Sequence, residues 1–326
     1  MLKKENKYIS LALLFLLIFC SNFAIAQNSN SFEIVYDEPN KIEKFFFKFQ
    51  PFYGEMFVTN LNAGFGVEVN YFLENKWDFR FNYRRAYYRK FDFSKDIAKN
   101  NSINNSASSF NYLEIGSTFH IVDAISKIRG KAVLFETDTS KSLLTVIPDF
   151  MTLSTNRRKI IGARFGTFFY KTSTDLNRAL DKQGVTLQNG SGVLDNSNLT
   201  LINNISVLGV YFGSSLSLIR NYAIQFPESY SPVVEDLILN MYFDFLVAPS
   251  ITLEEVNYQN EIYDTSGVKT RILGFRLGVD GMFNDKLGWA YGGELGYRPG
   301  IESRMFYALI KLSFPVFSTS FEKTSE

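Results

Sequence analysis

The chain has 326 residues, and its 34 lysines and arginines against 33 aspartates and glutamates leave a formal net charge of +1 at neutral pH. A charge this close to zero gives no electrostatic basis for binding nucleic acid, and we expect no such partner. A single cysteine excludes disulfides within the chain. A single histidine without metal-ligand spacing around it indicates neither a metal nor a cofactor.

Residues 1–26 have the three parts of a secretory signal peptide. Lysines near the start precede an apolar run over Leu11–Phe19, and small residues stand at Ala24 and Ala26, the two positions that a signal peptidase reads. The apolar run is shorter than the ~20 residues of a membrane-spanning helix, so we predict a cleaved leader; an uncleaved anchor helix is the alternative. Cleavage after Ala26 would remove Cys20 and leave an exported chain without thiols.

Residues 27–43 are polar, include Pro39 and are predicted to form a periplasmic tether. From residue 44 onward, apolar residues recur at every second position, which is the period of a β-strand. The recurrence returns in about ten segments of about 10 to 15 residues, whereas soluble strands average about 5 to 6 and outer-membrane strands need about 9 to 11. The apolar sets of these segments begin at Phe45, Leu61, Trp77, Leu113, Ile161, Leu201, Leu237, Leu273, Trp289 and Phe306.

Two regions interrupt this pattern. Residues 131–159 contain two short strand-like runs, which we interpret as part of a hairpin extension over 124–158. If the runs instead crossed the membrane, the strand count would be twelve. Residues 214–234 contain two prolines and raise a similar ambiguity. Helical spacing of apolar residues is present only weakly, near Leu176–Gln183.

The two faces of these segments differ in composition. One face is almost purely aliphatic and aromatic, while the other combines many glycines with charges of both signs. A soluble sandwich also alternates, but glycine is depleted from its strands. Because a crowded interior favours small residues, we interpret the aromatic face as lipid-facing and the ionic face as the lining of a closed barrel. Closure is required because an open sheet edge in hydrocarbon leaves backbone groups unpaired.

The predicted fold class is therefore all-β: a transmembrane antiparallel up-and-down barrel of about ten strands over 44–317, with a small periplasmic hairpin and a tail at 318–326. A soluble β-sandwich is the alternative fold. The residues predicted to form a charge network in the lumen are Glu68, Arg80, Arg84, Glu114, His120, Arg164, Asp244, Arg276, Asp280, Glu294, Arg298 and Lys311. Those predicted to form an aromatic girdle near the strand ends are Tyr71, Trp77, Tyr83, Trp289 and Tyr297.

Loop lengths predict the orientation of the barrel, because periplasmic turns are short and outer loops are long. The turns at 74–76 and 284–285 are short, and the connections at 92–109, 173–198 and 249–269 are long. With the N-terminus in the periplasm and ten crossings, the long connections lie outside and both chain ends lie inside.

The lumen residues also bear on chemistry. His120 is the only histidine, the residue type most often used for acid–base chemistry near neutral pH, and its place on the polar face near the periplasmic strand end favours a structural role over catalysis. Near-equal numbers of opposite charges favour mutual pairing in a narrow or plugged lumen; an open channel is the alternative. The basic and aromatic residues of 84–91 are predicted to contact anionic lipopolysaccharide groups, with a solvated strand end as the alternative.

The leader ending at 24–27, the composition rich in Asn, Phe and Tyr, and the long alternating strands together resemble outer-membrane β-barrel proteins of the Bacteroidota. The resemblance covers nearly the whole chain and rests on pattern rather than on a motif. It implies export, location in the cell outer membrane and contact with the barrel-insertion machinery. Many such barrels end on an aromatic residue that this machinery reads. Here Phe317 and Phe321 are followed by a charged tail, so Met305–Phe317 is the expected signal strand.

These features predict a non-enzymatic structural or interaction barrel with a narrow, charged lumen. Its expected contacts are outer-membrane lipid and lipopolysaccharide, with a periplasmic or surface protein as a further partner. A small-solute channel or a lipophile transporter is the alternative function, and an enzyme is the least favoured.

Overall fold

The computed structural model describes residues 32–57, 60–73, 76–87, 108–138, 145–190, 192–194, 201–226, 232–284, 288–302 and 305–319. The predicted leader lies outside this part of the chain. So do most of the connection at 92–109, the basic residues Arg89 and Lys90, and much of the predicted C-terminal tail.

The described residues form mainly β-structure, with one short helix among them. The strands are β1 (Glu33–Asp37), β2 (Phe45–Phe57), β3 (Asn60–Leu73), β4 (Trp77–Ala86), β5 (Asn111–Asp138), β6 (Thr145–Asp175), β7 (Gln188–Asn189), β8 (Gly192–Val193), β9 (Ile202–Ile219), β10 (Tyr222–Gln225), β11 (Val233–Glu235), β12 (Leu237–Leu253), β13 (Val256–Tyr258), β14 (Glu261–Tyr263), β15 (Thr270–Arg271), β16 (Leu273–Phe283), β17 (Ala290–Tyr297), β18 (Gly300–Ile301) and β19 (Phe306–Thr319). The helix α1 spans Leu176–Gln183, and no helix in the described ranges has the length and apolar character to cross a membrane.

Ten of these strands close into one barrel, in the order β2, β3, β4, β5, β6, β9, β12, β16, β17 and β19. Every neighbouring pair is antiparallel, and β19 pairs with β2 to complete the ring. The predicted all-β, up-and-down barrel of ten strands is therefore confirmed, and the twelve-strand alternative is wrong. We call the end where β2 begins and β19 finishes the terminal end, and the opposite end the loop end.

The hairpin extension grows directly out of the barrel wall. β5 is 28 residues long and β6 is 31, whereas β4 pairs with β5 only as far as Phe119. Beyond that point the two strands continue to pair with each other, up to Asp138 opposite Thr145. The short runs expected within 131–159 thus belong to two continuous strands, which extend past the terminal end rather than making further crossings.

A small sheet lies against this hairpin. β1, β10 and β11 form three antiparallel strands, so the segment expected to be a simple tether contains a strand. Leu153 of the hairpin packs in an apolar cluster with Tyr222, Ile224 and Phe226. In addition, the carboxylate of Asp37 accepts hydrogen bonds from the backbone N–H of Asn156, at 2.8 and 3.1 Å. Burial and hydrogen bonding together fix the small sheet to the hairpin.

The described parts of the connections at the loop end fold into a cap. The buried face of α1, formed by Leu176, Ala179 and Leu180, packs with apolar residues of the other connections, including Val256 and Ile301. Gly184 ends the helix in the left-handed conformation (φ +63°), which glycine adopts without steric cost. The weak helical spacing of apolar residues near Leu176–Gln183 therefore corresponds to a helix, which covers the loop end of the barrel.

A β-bulge in β2 changes which residues face inward. The register with β3 shifts between Gln50 and Tyr53, and Pro51 lies in the gap. Proline cannot donate to the ladder and is typical of bulges. As a result Tyr53 and Phe57 are buried inside the barrel, although strict alternation predicts them on the apolar face. The same shift brings Glu55 into the lumen.

Candidate functional site: the packed lumen

The lumen holds the charges that the alternation pattern predicts there. Ten of the twelve predicted residues are buried, and the other two, Arg80 and Asp280, are half-buried. Eleven of them come from eight of the ten barrel strands and Arg298 directly follows β17, so the network joins opposite walls. Because the barrel interior is narrow, these long side chains meet near its axis.

The central part of the network is a chain of four charged groups. Arg276 donates to both oxygens of Glu114, at 2.6 and 2.7 Å, and its Nε donates to Asp244 at 2.7 Å. Asp244 also accepts from Arg164 at 2.9 and 3.2 Å. All four side chains are at most 3% exposed. Bidentate hydrogen bonds of this kind match the planar geometry of a guanidinium to that of a carboxylate.

A second group of charges lies nearer the terminal end. Lys311 Nζ contacts Glu68 at 2.7 Å and Asp280 at 2.9 Å. Lys48 Nζ contacts the other oxygen of Glu68 at 2.8 Å, and Arg80 reaches Asp280 at 3.2 Å. Each carboxylate here is shared by two cations, so the group is a connected network rather than a set of separate pairs.

A third group lies nearer the loop end. Arg298 donates to both oxygens of Glu55, at 2.8 and 2.9 Å. The carboxylate of Glu294 accepts hydrogen bonds from the hydroxyls of Tyr242, at 3.0 Å, and Tyr307, at 3.3 Å. The Arg298 guanidinium also lies 3.8 Å from the centre of the Tyr307 ring, an arrangement that stabilises a cation in a dry site.

The predicted histidine is part of a separate contact at the terminal end. His120 Nε2 lies 3.2 Å from Asp78 Oδ2, and the histidine side chain is 2% exposed. Nearby, Arg158 contacts Asp123 through two hydrogen bonds. A cavity of about 230 Å³ opens beside His120 and Arg158. His120 is therefore a buried residue in contact with a carboxylate.

Apolar layers bound the charged section at both ends. Toward the terminal end, Phe46, Ile160, Ile219, Ile238 and Met282 form one cluster. Toward the loop end, apolar residues of the cap and of the adjoining part of the lumen form a second cluster. A cavity of about 40 Å³ lies between the second group of charges and the apolar cluster at the terminal end. A cavity of this size holds very few waters. Side chains therefore occupy most of the described lumen between these layers.

The outer surface of the barrel has the opposite character. Between Arg85 and Lys171 near the loop end and Lys159 near the terminal end, every outward strand position that the structure describes is uncharged. We call these residues the apolar belt. Its exposed members include Met56, Ile115, Phe165, Leu208, Phe212, Phe245, Leu277, Leu295, Ile310 and Val316.

The five predicted girdle residues all lie on this outward side. Tyr71, Trp77 and Trp289 are near the terminal end, and Tyr83 and Tyr297 are nearer the loop end. Their rings contact other outward aromatics: Trp77 and Phe119 have centroids 4.9 Å apart, and those of Tyr297 and Phe306 are 5.7 Å apart. These five rings stand on the outward face, toward one end or the other of the barrel wall.

Sequence reasoning missed three charged members of the lumen: Lys48, Glu55 and Asp78. Lys48 and Asp78 alternate correctly with the apolar set, so the pattern alone could have found them. Glu55 is different, because it enters the lumen only through the bulge. In β9 the outward set that begins at Leu201 is predicted on the wrong face. Val207 and Tyr211 of that set face inward, and Leu208, Val210 and Phe212 face outward.

No protein-family model matches the chain, and a search of curated proteins returns no relative with significant sequence similarity. Among the described residues, no group of three or more His, Cys, Asp and Glu side chains is placed to hold a metal ion.

Proposed function

We propose that the protein is an outer-membrane barrel that spans the bilayer with a sealed lumen and acts as a structural or interaction protein. The observation that carries this proposal is the apolar belt. It surrounds the barrel with exposed aliphatic and aromatic side chains such as Ile310 (64% exposed) and Phe212 (55%). Apolar patches of this size are rare on proteins that face water.

The cost of a charge in hydrocarbon explains why the belt is free of ionised groups. An arginine or lysine at the membrane midplane costs about 2 to 4 kcal/mol, and the cost falls toward the interfaces. Arg85, Lys159 and Lys171 lie beyond the belt, where the cost is small. On this proposal the terminal end faces the periplasm and the cap faces the exterior.

The packed lumen supports a sealed barrel rather than a channel. An ion crossing the central section would have to displace Arg276, Glu114 and Asp244 from hydrogen bonds of 2.6 to 2.7 Å. It would also have to pass the apolar layer at the terminal end and the cap at the loop end. We infer that solutes do not move through this barrel in the conformation described.

The ends of the barrel are the surfaces that a partner would meet. Along the outer part of the hairpin, the edges of β5 and β6 pair with no further strand in the part of the chain that the structure describes. Such edges accept an added strand. A periplasmic protein is therefore a suitable partner for the hairpin, while the cap meets lipopolysaccharide or a surface protein. Recognition of β19 by the insertion machinery belongs to the same proposal.

Membrane location is tested by fractionation and reconstitution. We expect the mature chain, beginning at Gln27, to fractionate with outer membranes and to float with liposomes after refolding. A folded barrel should also migrate faster on a denaturing gel before boiling than after it. A mature protein that remains in the soluble periplasmic fraction without detergent contradicts this proposal and favours a soluble barrel.

Conductance separates the sealed barrel from the alternative of a small-solute channel. We expect the purified protein in planar bilayers to give no steady current, with the lipid alone as the matched control. A steady open-state current would favour the channel. The non-enzymatic assignment predicts that His120→Ala leaves lipid and peptide hydrolysis by membrane preparations unchanged, because His120 is buried against Asp78.

A further inference from the structure

Arg84 differs from the other arginines of the lumen. It is 0% exposed, yet its Nε, Nη1 and Nη2 have no hydrogen-bond partner among the residues that the structure describes. The closest ion-pair contact joins Arg84 Nη1 to Glu55 Oε2 at 3.7 Å, which is too long for a hydrogen bond. Both oxygens of Glu55 already accept from Arg298. A buried guanidinium left in this state is costly.

Other unpaired polar groups lie on the lumen side of β2, β3 and β4, the strand of Arg84 and its neighbours. Gln50, Gly66 and Arg84 lie side by side in register on β2, β3 and β4. A methyl group placed on Gly66 would come within 2.6 Å of Gln50 Oε1 and 3.1 Å of Arg84 Cγ, so both side chains converge above this glycine. The buried atoms of this group without a partner are Gln50 Nε2 and Oε1, Tyr53 Oη, Asn62 Nδ2 and Asn82 Oδ1.

Donors dominate this group. A guanidinium offers five N–H donors and no acceptor, a side-chain amide nitrogen offers two donors, and a tyrosine hydroxyl offers one. Among the described residues, the unpaired atoms of this group that can accept are the amide oxygens of Gln50 and Asn82 and the hydroxyl oxygen of Tyr53, which are fewer than the donors. Water could accept from these donors, but each water brings two hydrogens that need acceptors of their own. A species that only accepts hydrogen bonds and carries a negative charge meets both needs.

We propose that Arg84, together with Gln50 and Tyr53, binds a small monovalent anion of the halide class inside the lumen. The anion completes the hydrogen bonding of the buried guanidinium and supplies a directly bonded counter-charge. A doubly charged oxyanion fits poorly because Glu55 is only 3.7 Å from Arg84 and would repel the second charge. The site does not depend on where the barrel resides.

Diffraction with bromide tests the site directly. Crystals of the refolded mature barrel grown in sodium bromide should give an anomalous peak within hydrogen-bonding distance of the Arg84 guanidinium. Arg84→Gln should lose this peak, and the matched control Arg85→Gln should retain it, because Arg85 is the exposed, outward-facing neighbour. Wild-type crystals with no bromide peak at Arg84, or with only water density there, overturn the proposal.

Thermal unfolding tests the same site in solution. At constant ionic strength, replacing sodium gluconate by sodium chloride should raise the unfolding midpoint of the wild type and of Arg85→Gln by at least about 2 °C. Arg84→Gln should show no such shift. If that variant does not fold, Tyr53→Phe serves instead, and the chloride concentration for half the effect should rise several-fold. Equal midpoints in chloride and gluconate for the wild type contradict the proposal.

Discussion

Asp244 and Phe245 are neighbours in β12, and they show how differently the two sides of this barrel are built. Asp244 is 0% exposed and bonded to two arginines, while Phe245 is 49% exposed on the apolar belt. In a protein dissolved in water the placement would be the reverse. The wall therefore separates a polar, packed interior from a surface suited to hydrocarbon.

The two sides of the wall also differ in how narrowly the residue type at each position is constrained. The belt requires only that each outward residue be uncharged, so Leu, Val, Phe and Ala occur there in no fixed order. The lumen requires particular partners at particular distances, because a buried charge without its counter-charge is destabilising. We expect substitutions on the two sides to differ accordingly.

The largest expected effect comes from breaking the central network. Arg276→Met leaves Glu114 and Asp244 with one fewer cation, and the free energy of unfolding should fall by about 3 to 5 kcal/mol. Urea unfolding in lipid vesicles, followed by tryptophan fluorescence, measures this change. Arg85→Met is the matched control on the outward side, where we expect a change within about 0.5 kcal/mol.

A second variant sharpens this test. Adding Glu114→Gln to Arg276→Met removes the charge that was left unpaired, while Asp244 keeps its contact with Arg164. The double variant should therefore recover part of the lost stability. If Arg276→Met alone costs less than about 1 kcal/mol, the ion pairs are not what stabilises the lumen.

The next effect comes from placing a charge on the belt. Phe212 pairs in register with Phe165 and Phe245 at the middle of the belt. Phe212→Arg should lower the free energy of unfolding by about 2 to 4 kcal/mol in lipid vesicles, because the cation would lie in hydrocarbon. Phe212→Leu is the control for lost ring contacts. Equal losses for the two variants would mean that the belt does not face lipid.

Glycine-to-alanine substitutions compare the two sides through steric clashes alone, and their expected effect on stability is smaller. A methyl group on Gly66 would lie 2.5 Å from the backbone oxygen of Tyr83 in the lumen. One on the outward Gly54 would lie no closer than 3.5 Å to the atoms around it. Gly66→Ala should cost about 1 to 3 kcal/mol by the same unfolding assay, and Gly54→Ala should cost less than about 0.5. Similar values for both would contradict a tightly packed lumen.

Much of this architecture could be predicted from the sequence because the strands keep a period of two over long stretches. The ten barrel strands, the hairpin and the inward positions of all twelve predicted lumen residues follow from that period. For Arg84, the absence of a hydrogen-bonded carboxylate could not be predicted, because it depends on which side chains meet in space.

Local departures from the period could not be predicted in the same way. The bulge beside Pro51 moves Tyr53 and Glu55 into the lumen, and a bulge depends on the register of the neighbouring strands. In β9 both faces carry apolar residues near the loop end, because Val207 packs beneath the cap. When one face of a strand is buried under the cap and the other is exposed and also apolar, no polar face identifies the positions that point inward.

The smallest effect concerns an exposed carboxylate of the cap, in contrast to the buried carboxylates of the lumen. Glu261 accepts hydrogen bonds from Asn189 Nδ2 and Tyr263 Oη, both at 2.9 Å, and these bonds lower the pKa of Glu261 below its ordinary value. Because the folded pKa is the lower one, the contact contributes fully above pH 4.5 and is lost as the pH falls through the depressed pKa.

We therefore expect faster hydrogen exchange in β14 and in the β7–β8 hairpin at pH 3.5 than at pH 6, after correction for intrinsic exchange rates. The barrel amides should show no comparable change over this range. Glu261→Gln removes the titration and should make exchange in the cap independent of pH between these values. A cap that responds to acid equally in both proteins would show that another group links the connections, and Asp264, whose pKa is also lowered by its hydrogen bonds to Ser266, would be the next residue to substitute.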